Sequence, residues 1–188
     1  MRRVLLGAVL ALTLAGCGGG KSGDVATVTA PTGATQQPGQ GSALTACVNA
    51  PASAPAPAGA STDLTKKPVV EVPVTAAPCE LQTIDLVVGN GAEAKTGSTV
   101  SVKYLGLLYQ DGKEFDSSWS RGTKEVLPPF RLGAGGVIPG FDKGTLGMRV
   151  GGRREVLIPS KDGYGPAGSG PIPPDANLIF VIDLVKIT

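Results

Sequence analysis

The stretch GNGAEAKT, residues 89–96, has residue types and spacing that could bind phosphate. It differs by one residue from the pattern G-x-x-x-x-G-K-[ST] and contains G-x-G-x-x-A, a dinucleotide-type fingerprint. Either site needs a helix directly after the loop, with its N-terminus aimed at the phosphates. The residues that follow, 97–105, begin with Gly-Ser and then alternate polar and apolar, which is typical of a half-buried strand. We therefore interpret the stretch as a connection between two strands.

Covalent and metal chemistry find little support elsewhere in the chain. It contains no histidine, which excludes Ser-His-Asp and Cys-His arrangements and histidine metal sites. The three cysteines, Cys17, Cys47 and Cys79, all precede Glu80, and two cysteines without histidine make a poor metal site. Acidic pairs are scattered through predicted turns, without a pattern that indicates acid/base catalysis. An enzyme made of these residues needs neither a covalent intermediate nor a proton shuttle, and we expect no cofactor and no metal.

The charge pattern does not indicate a nucleic-acid partner. Seventeen basic and 15 acidic residues give a formal net charge of +2. No basic stripe with interleaved aromatic residues is present, as a nucleic-acid-binding surface would require.

The N-terminus predicts export and lipid anchoring. A short basic region precedes an apolar run, residues 4–15, that is too short to span a bilayer. The run ends in LAGC, residues 14–17, which resembles the lipobox of bacterial lipoproteins. We predict a signal peptide at residues 1–16 and a diacylglyceryl group on Cys17, with the protein held extracytoplasmically on a bacterial membrane. The alternative is an ordinary signal peptide with an incidental cysteine.

Composition separates a tether, residues 17–79, from a folded unit, residues 80–188. All eight aromatic residues lie at or after Tyr104, and residues 25–60 contain no charge. Such a stretch buries too little apolar surface to order itself, so we predict a flexible tether. Within it, residues 66–74 regain β-branched residues, but their prolines limit them to an edge strand or a docked arm. Cys47 and Cys79 could close a disulfide in an oxidising compartment, and the sequence leaves their pairing open.

Hydrophobic patterning of the folded unit predicts an α+β domain, a twisted antiparallel sheet of about five strands with one short helix. The predicted helix follows Pro139 and places Phe141, Thr145 and Met148 on one face. Asp111-Gly112 marks a hairpin turn. The strands are predicted at residues 82–88, 99–108, 113–116, 153–158 and 178–187.

Four segments of this unit closely resemble the FKBP-type peptidyl-prolyl cis-trans isomerases and occur in that family's order. They are VSVKYLGLLYQDGKEFDSSWSRG, LGAGGVIPGFDKGTLGMRVGGRREVLIP, GYGPAGSGPIPP and NLIFVIDLVKI. The resemblance covers nearly all of residues 80–188. It implies a sheet wrapped around one short helix, with an apolar pocket between them.

The resemblance also implies a set of pocket residues. Asp116 matches the single pocket carboxylate and Arg121 its ion-pair partner, while the Ile138 N–H and the Tyr164 hydroxyl match the groups that hold ligand carbonyls. Taken singly, the aromatic residues would be read as core and the ion pair as ordinary; the joint pattern indicates a site. The implied catalytic residues are Tyr104, Phe115, Asp116, Ile138, Tyr164 and Phe180, and the implied substrate-binding residues are Arg121, Val137, Phe141, Ile172 and Phe130.

Three departures from the family pattern affect the pocket. Phe141 stands where the family usually has a tryptophan floor. The segment between Arg121 and Leu132 is longer than usual, so Phe130 is only a candidate for the usual pocket phenylalanine. The loop GPAGSGPIPP is about one residue shorter, with Pro171 where an isoleucine is expected.

The implied function is cis-trans isomerisation of X–Pro bonds in exported proteins, by non-covalent binding in an apolar aromatic pocket. The partners are proline-containing unfolded or exported polypeptides, the membrane through the lipid anchor, and tacrolimus-type macrolides, and we expect a monomer. One alternative is an FKBP-fold chaperone or partner-binding lipoprotein with weak or no turnover. Another is a surface lipoprotein whose tether is the functional part.

Overall fold

A computed structural model describes residues 47–49, 51, 53, 56, 60–122 and 126–188. These residues contain six strands, one α-helix and three short 3-10 helices. The strands are β1 Gln82–Val87, β2 Thr99–Leu108, β3 Glu114–Ser117, β4 Phe130–Arg131, β5 Arg153–Ile158 and β6 Leu178–Ile187, the α-helix is α1 Pro139–Thr145, and the 3-10 helices are Trp119–Arg121, Ser160–Asp162 and Gly165–Ala167.

The strands form one open antiparallel sheet in the order β1-β5-β6-β2-β3, with β4 paired to β2. The long central strands β2 and β6 pair from Val100↔Ile187 to Leu108↔Leu178. The predicted α+β class, antiparallel sheet and short helix are confirmed. The structure adds one strand to the five that were located by pattern, because β4 has two residues and is too short to show alternation.

The helix packs against the sheet through two glycines. Pro139 occupies its first turn, where a missing N–H costs no hydrogen bond. A Cβ on Gly140 would collide with Ile158, and one on Gly144 would lie 2.7 Å from the Val156 side chain. Small residues at these positions therefore let α1 approach β5 closely, which sets the depth of the space between helix and sheet.

The predicted helix face is buried, although the helix ends earlier than its pattern suggested. Phe141, Thr145 and Met148 are exposed by 4%, 0% and 3%. The Thr145 hydroxyl donates to the Phe141 carbonyl at 2.8 Å. Met148 lies beyond the last helical residue and reaches the core from the following turn.

The segment before β1, residues 60–79, lies on the sheet face opposite α1; we call it the arm. Its Ala77 is buried and its Val70 and Val72 pack against an outer cluster of sheet residues that includes Leu105 and Leu107. The arm has no strand of its own, so of the two readings of residues 66–74 the docked arm matches the structure. Cys47 and Cys79 form a disulfide at its end. The division at residue 80 stays a prediction.

The glycine-rich stretch at residues 89–96 connects β1 to β2, and no helix follows it. A Cβ on Gly89 would collide with the backbone carbonyls of Arg149 and Val150. Gly91 N–H also donates to the Val150 carbonyl at 3.0 Å. Close packing against a neighbouring loop, rather than phosphate binding, explains the glycines.

The predicted signal peptide and Cys17 lie outside the described residues. Among the residues that are described, no helix is long and apolar enough to cross a membrane.

Candidate active site

A cavity of about 440 Å³ opens between α1 and the inner face of the sheet. This volume is within the usual range of small-molecule sites, which are mostly apolar with a few convergent polar groups. Its lining comes from β2, β3, β6, α1 and the loops between them. The lining residues are Tyr104, Phe115, Asp116, Leu127, Gly135, Gly136, Val137, Ile138, Phe141, Tyr164 and Phe180.

Four aromatic rings form the floor and one wall of the cavity. Phe141 on α1 meets Phe180 on β6 edge to face, with ring centroids 5.1 Å apart, and meets Tyr104 on β2 in the same way at 6.0 Å. Phe115 on β3 packs edge to face on Phe180 at 5.5 Å. Edge-to-face contacts are favourable because the positive edge of one ring meets the negative face of the next. Four elements thus hold the rings in a fixed apolar surface.

Gly106 on β2 makes room for this cluster. A Cβ at this position would lie 2.7 Å from the Phe115 ring and 3.0 Å from the Phe180 ring. The glycine inside a strand, which usually weakens it, is therefore explained by the close approach of two side chains.

The polar wall of the cavity is a closed network of three side chains. The Tyr104 hydroxyl donates a short hydrogen bond to Asp116. Arg121 donates to Asp116 at 2.7 Å and to the Tyr104 oxygen at 2.9 Å. Asp116 also accepts the Ser117 backbone N–H at 2.8 Å. Every member of the network therefore finds its partner within the protein.

This network keeps Asp116 ionised. Burial opposes ionisation, but the hydrogen bonds from Tyr104 and Arg121 outweigh it and lower the pKa of Asp116. Burial, together with the bond to Asp116, raises the pKa of the Tyr104 hydroxyl. Among the described residues, Asp116 is the only carboxylate of the lining, and these residues contain no cluster of three His, Cys, Asp or Glu that could hold a metal ion.

Two further donors of the lining have no acceptor among the described residues. The backbone N–H of Ile138 is one; Ile138 directly precedes α1, and its carbonyl accepts the N–H groups of Phe141 and Asp142, both at 3.1 Å. The Tyr164 hydroxyl is the other. Burial, and secondarily the charge of Asp116, raises the pKa of Tyr164, so the hydroxyl keeps its proton. The apolar cavity thus presents two donors that are free to bind carbonyl oxygens.

The structure brings most of the residues implied by the family resemblance to one place. Arg121 reaches the site through Asp116 and Tyr104. The catalytic and binding roles assigned to these residues stay predictions. The implied residues that line the cavity are Tyr104, Phe115, Asp116, Val137, Ile138, Phe141, Tyr164 and Phe180.

Besides Arg121, two implied substrate-binding residues lie outside the lining. Phe130 belongs to β4, where pairing with Val100 of β2 turns it to the Phe141 ring at 5.9 Å. Ile172 is 6% exposed in the inner core, and a reciprocal pair of backbone hydrogen bonds with Ser169 holds it there. Phe130 thus contacts a lining residue and Ile172 lies in the inner core, while their substrate-binding roles stay predictions.

Three lining residues, Leu127, Gly135 and Gly136, were not among the predicted ones. Of the described residues between Arg121 and Leu132, Leu127 and not Phe130 lines the cavity, and the Leu127 N–H donates to the Val102 carbonyl at 2.8 Å. The run of glycines before Val137 was a usable signal, because glycine permits close approach of backbone to a ligand. No local pattern distinguished Leu127 from Phe130.

Comparison with known proteins matches a family model described as FKBP-type peptidyl-prolyl cis-trans isomerase to residues 91–185. The FK506-binding protein of Streptomyces anulatus is 48% identical over 124 residues, which cover 65% of this chain and 98% of that protein. The probable FK506-binding protein of Corynebacterium glutamicum is 45% identical over 121 residues, covering 64% of this chain and 98% of that one.

Solved structures agree with these sequence matches. AtFKBP13 is similar with a TM-score of 0.53 and 37% identity, over 60% of this chain and 96% of that chain. FkpA from Escherichia coli is similar with a TM-score of 0.52 and 40% identity, over 57% of this chain and 48% of that chain. This chain therefore spans about half the length of FkpA.

Proposed function

Because this chain belongs to the FKBP-type peptidyl-prolyl cis-trans isomerase family, we propose that its aromatic cavity is the place where it catalyses rotation about X–Pro peptide bonds. The observation that carries this assignment is the pair of donors, Ile138 N–H and Tyr164 O–H, that have no acceptor among the described residues and face a cavity with an aromatic floor and one polar wall. Such a site holds a peptide by its carbonyl groups and surrounds a proline ring with apolar surface.

The chemical problem is the partial double bond of the amide. Resonance sets a rotation barrier of about 18–20 kcal/mol. For X–Pro bonds both isomers are accessible, yet the uncatalysed exchange takes roughly tens to hundreds of seconds. At mid-rotation the resonance is lost, and the carbonyl oxygen carries less charge than in the planar amide.

The cavity can favour that twisted state without covalent chemistry. Its aromatic floor, from Phe141 and Phe180, excludes water that would solvate the polar planar amide, and so raises the ground state relative to the twisted one. Donors at Ile138 and Tyr164 would hold neighbouring carbonyls and orient the bond that rotates. A thousandfold acceleration needs only about 4 kcal/mol of differential stabilisation, which desolvation and two hydrogen bonds can supply.

We assign the network of Tyr104, Asp116 and Arg121 to shaping and charge rather than to proton transfer. Its hydrogen bonds fix the Tyr104 ring against Phe141 and place one negative charge at the cavity edge. Asp116 is held ionised by its partners, which suits a fixed charge. Proton transfer is not needed, because bond rotation moves no proton.

The substrates we propose are proline-containing segments of unfolded, exported polypeptides. Relatives named FK506-binding proteins support FK506 (tacrolimus) as a ligand of the same cavity. We further propose that Cys17 carries a lipid and holds the protein extracytoplasmically on a bacterial membrane; the support is the LAGC motif after a short apolar run.

The direct test of the enzymatic function is the cis-to-trans rate of a short Leu-Pro or Phe-Pro peptide, measured with the full chain and with or without FK506. We expect acceleration that FK506 abolishes. No acceleration from a folded sample would contradict the function and favour an FKBP-fold chaperone or partner-binding lipoprotein. Phe141 and the segment between Arg121 and Leu132 would then be the first regions to examine. Acceleration that FK506 does not inhibit would support the enzymatic function but contradict FK506 as a ligand of the cavity.

The anchor has a separate test. Labelled palmitate supplied to cells producing the chain should appear in the protein and disappear in Cys17→Ser, with the protein leaving the membrane fraction. A labelled or membrane-bound Cys17→Ser variant would contradict lipidation at this cysteine.

A further inference from the structure

The arm, residues 60–79, lies outside the segment that matches the family model, yet it makes specific contacts with the strands that carry the active site. Its first part is fixed by Arg153 of β5, a fully buried side chain. The Arg153 guanidinium donates to the carbonyls of Ser61, Asp63 and Lys66 at 3.1 Å each. The arm is thereby fixed at one end to the first residue of β5.

From this point the arm runs along the hairpin formed by β2 and β3, in the direction opposite to β3. Tyr109 directly follows β2, and its hydroxyl donates to the Ala76 carbonyl at 3.3 Å. Val72 packs so closely on the turn that a Cβ on Gly112 would collide with it. Nearer the Arg153 end of the arm, the Lys67 ammonium lies 2.5 Å from the carboxylate of Glu114, the first residue of β3. The contacts follow the hairpin from its turn to the strand that carries Phe115 and Asp116.

Glu114 joins the arm to both ends of the segment that forms the polar wall. One carboxylate oxygen accepts from Lys67, and the other accepts from the Ser120 hydroxyl at 2.7 Å. Ser120 precedes Arg121, and Glu114 lies two residues before Asp116. The same carboxylate therefore connects the strand bearing Asp116 with the 3-10 helix bearing Arg121.

We propose that the arm is a positioning element of the active site, and that Lys67 and Glu114 hold the Asp116–Arg121 wall in place from the outer side of the hairpin. Neither residue lines the cavity, so each acts through its neighbours. The inference rests on the proposed roles of Asp116 and Arg121.

Trp119, the single tryptophan of the chain, provides an independent readout. It lies in the 3-10 helix between Ser118 and Ser120 and is 9% exposed. Movement of this helix changes the surroundings of the indole. Its emission and its quenching by acrylamide therefore report on the wall without any substrate.

The experiment compares Lys67→Gln with Lys66→Gln in the full chain. The two changes remove the same charge from adjacent positions, but the Lys66 side chain pairs only with exposed Asp63 and does not reach β3. We expect Lys67→Gln to lower kcat/KM by about two- to fivefold, the effect of one exposed ion pair, and to increase quenching of Trp119. Lys66→Gln should match wild type, and Lys67→Arg should restore both readouts.

Equal kcat/KM and equal quenching for Lys67→Gln and Lys66→Gln would overturn the proposal. A loss of activity in Lys67→Gln with unchanged Trp119 quenching, or one that Lys67→Arg does not restore, would also overturn it. Failure of the enzymatic function is distinguishable, because wild type would then accelerate nothing while the Trp119 comparison would still decide whether the arm positions the wall.

Discussion

The two faces of the sheet differ in whether their polar groups find hydrogen-bond partners within the protein. On the inner face, the cavity keeps the Ile138 N–H and the Tyr164 hydroxyl without an acceptor among the described residues. On the outer face, under the arm, Arg153 donates hydrogen bonds to the Asp183 carboxylate, to Ser61 and to two further carbonyls of the arm. The inner face thus leaves two donors available to a ligand, whereas Arg153 on the outer face uses its donors within the protein.

This difference separates residues that serve binding from residues that serve stability. A donor that stays unpaired in the folded protein contributes little to folding but can bind a carbonyl of a ligand. A buried charge whose partners are removed costs free energy of folding, because its desolvation is no longer compensated. Substitutions on the two faces should therefore affect different measurements.

The largest effect is expected at Arg153. Arg153→Met leaves Asp183 buried without its partner and frees the first turn of the arm, so the free energy of unfolding should fall by about 3–5 kcal/mol. Urea unfolding of the full chain measures it. Arg149→Met, which removes an exposed pair with Glu93, should cost less than about 1 kcal/mol. Equal losses for the two variants would contradict the special role of Arg153.

The next effect concerns Glu155, which is 6% exposed on the outer side of β5 and lies in register with Ile84 and Val181. Its side-chain carboxyl has no hydrogen-bond partner among the described residues. Burial raises its pKa to about 7 from 4.5. Between roughly pH 4.5 and 7 the folded chain therefore holds a proton that the unfolded chain has released, and stability falls as pH rises through this window.

Glu155→Gln should remove that decline. At pH 8 the variant should be more stable than wild type by up to about 3 kcal/mol, whereas at pH 4 the two should be equal. Urea unfolding across the range measures the difference, and Glu71→Gln, at an exposed glutamate of the arm, is the control. A constant offset between Glu155→Gln and wild type at every pH would contradict the assignment.

The smallest of these effects is expected on the inner face, at Tyr164. Tyr164→Phe removes one free donor and keeps the ring, so kcat/KM should fall by about three- to tenfold, the loss of one hydrogen bond to the substrate. The free energy of unfolding should change by less than about 0.5 kcal/mol. Full turnover in Tyr164→Phe would contradict the role of the Tyr164 hydroxyl as a donor to the substrate. A large loss of stability would contradict the separation of the two faces.

Local patterns in the sequence predicted the sheet and the helix because they reflect backbone geometry. Alternation of polar and apolar residues located β2, and proline before Phe141 located α1 within one turn. A strand as short as β4 lacks such a pattern, and it was missed. Local pattern also did not show that Phe130, which belongs to β4, lies outside the lining or that Leu127 belongs to it.

By itself, the sequence determined the fold class, the non-phosphate nature of residues 89–96 and most of the residues that line the cavity, since these follow from motifs and short-range periodicity. Only the tertiary structure decided that Leu127 lines the cavity and Phe130 does not, that Glu155 is buried, and that residues 60–79 lie on the outer face. These features depend on contacts between residues far apart in the chain, such as Arg153 with Ser61 and Lys67 with Glu114. Their free energy comes from burial and complementary geometry in the folded chain, which no local spacing of residue types encodes.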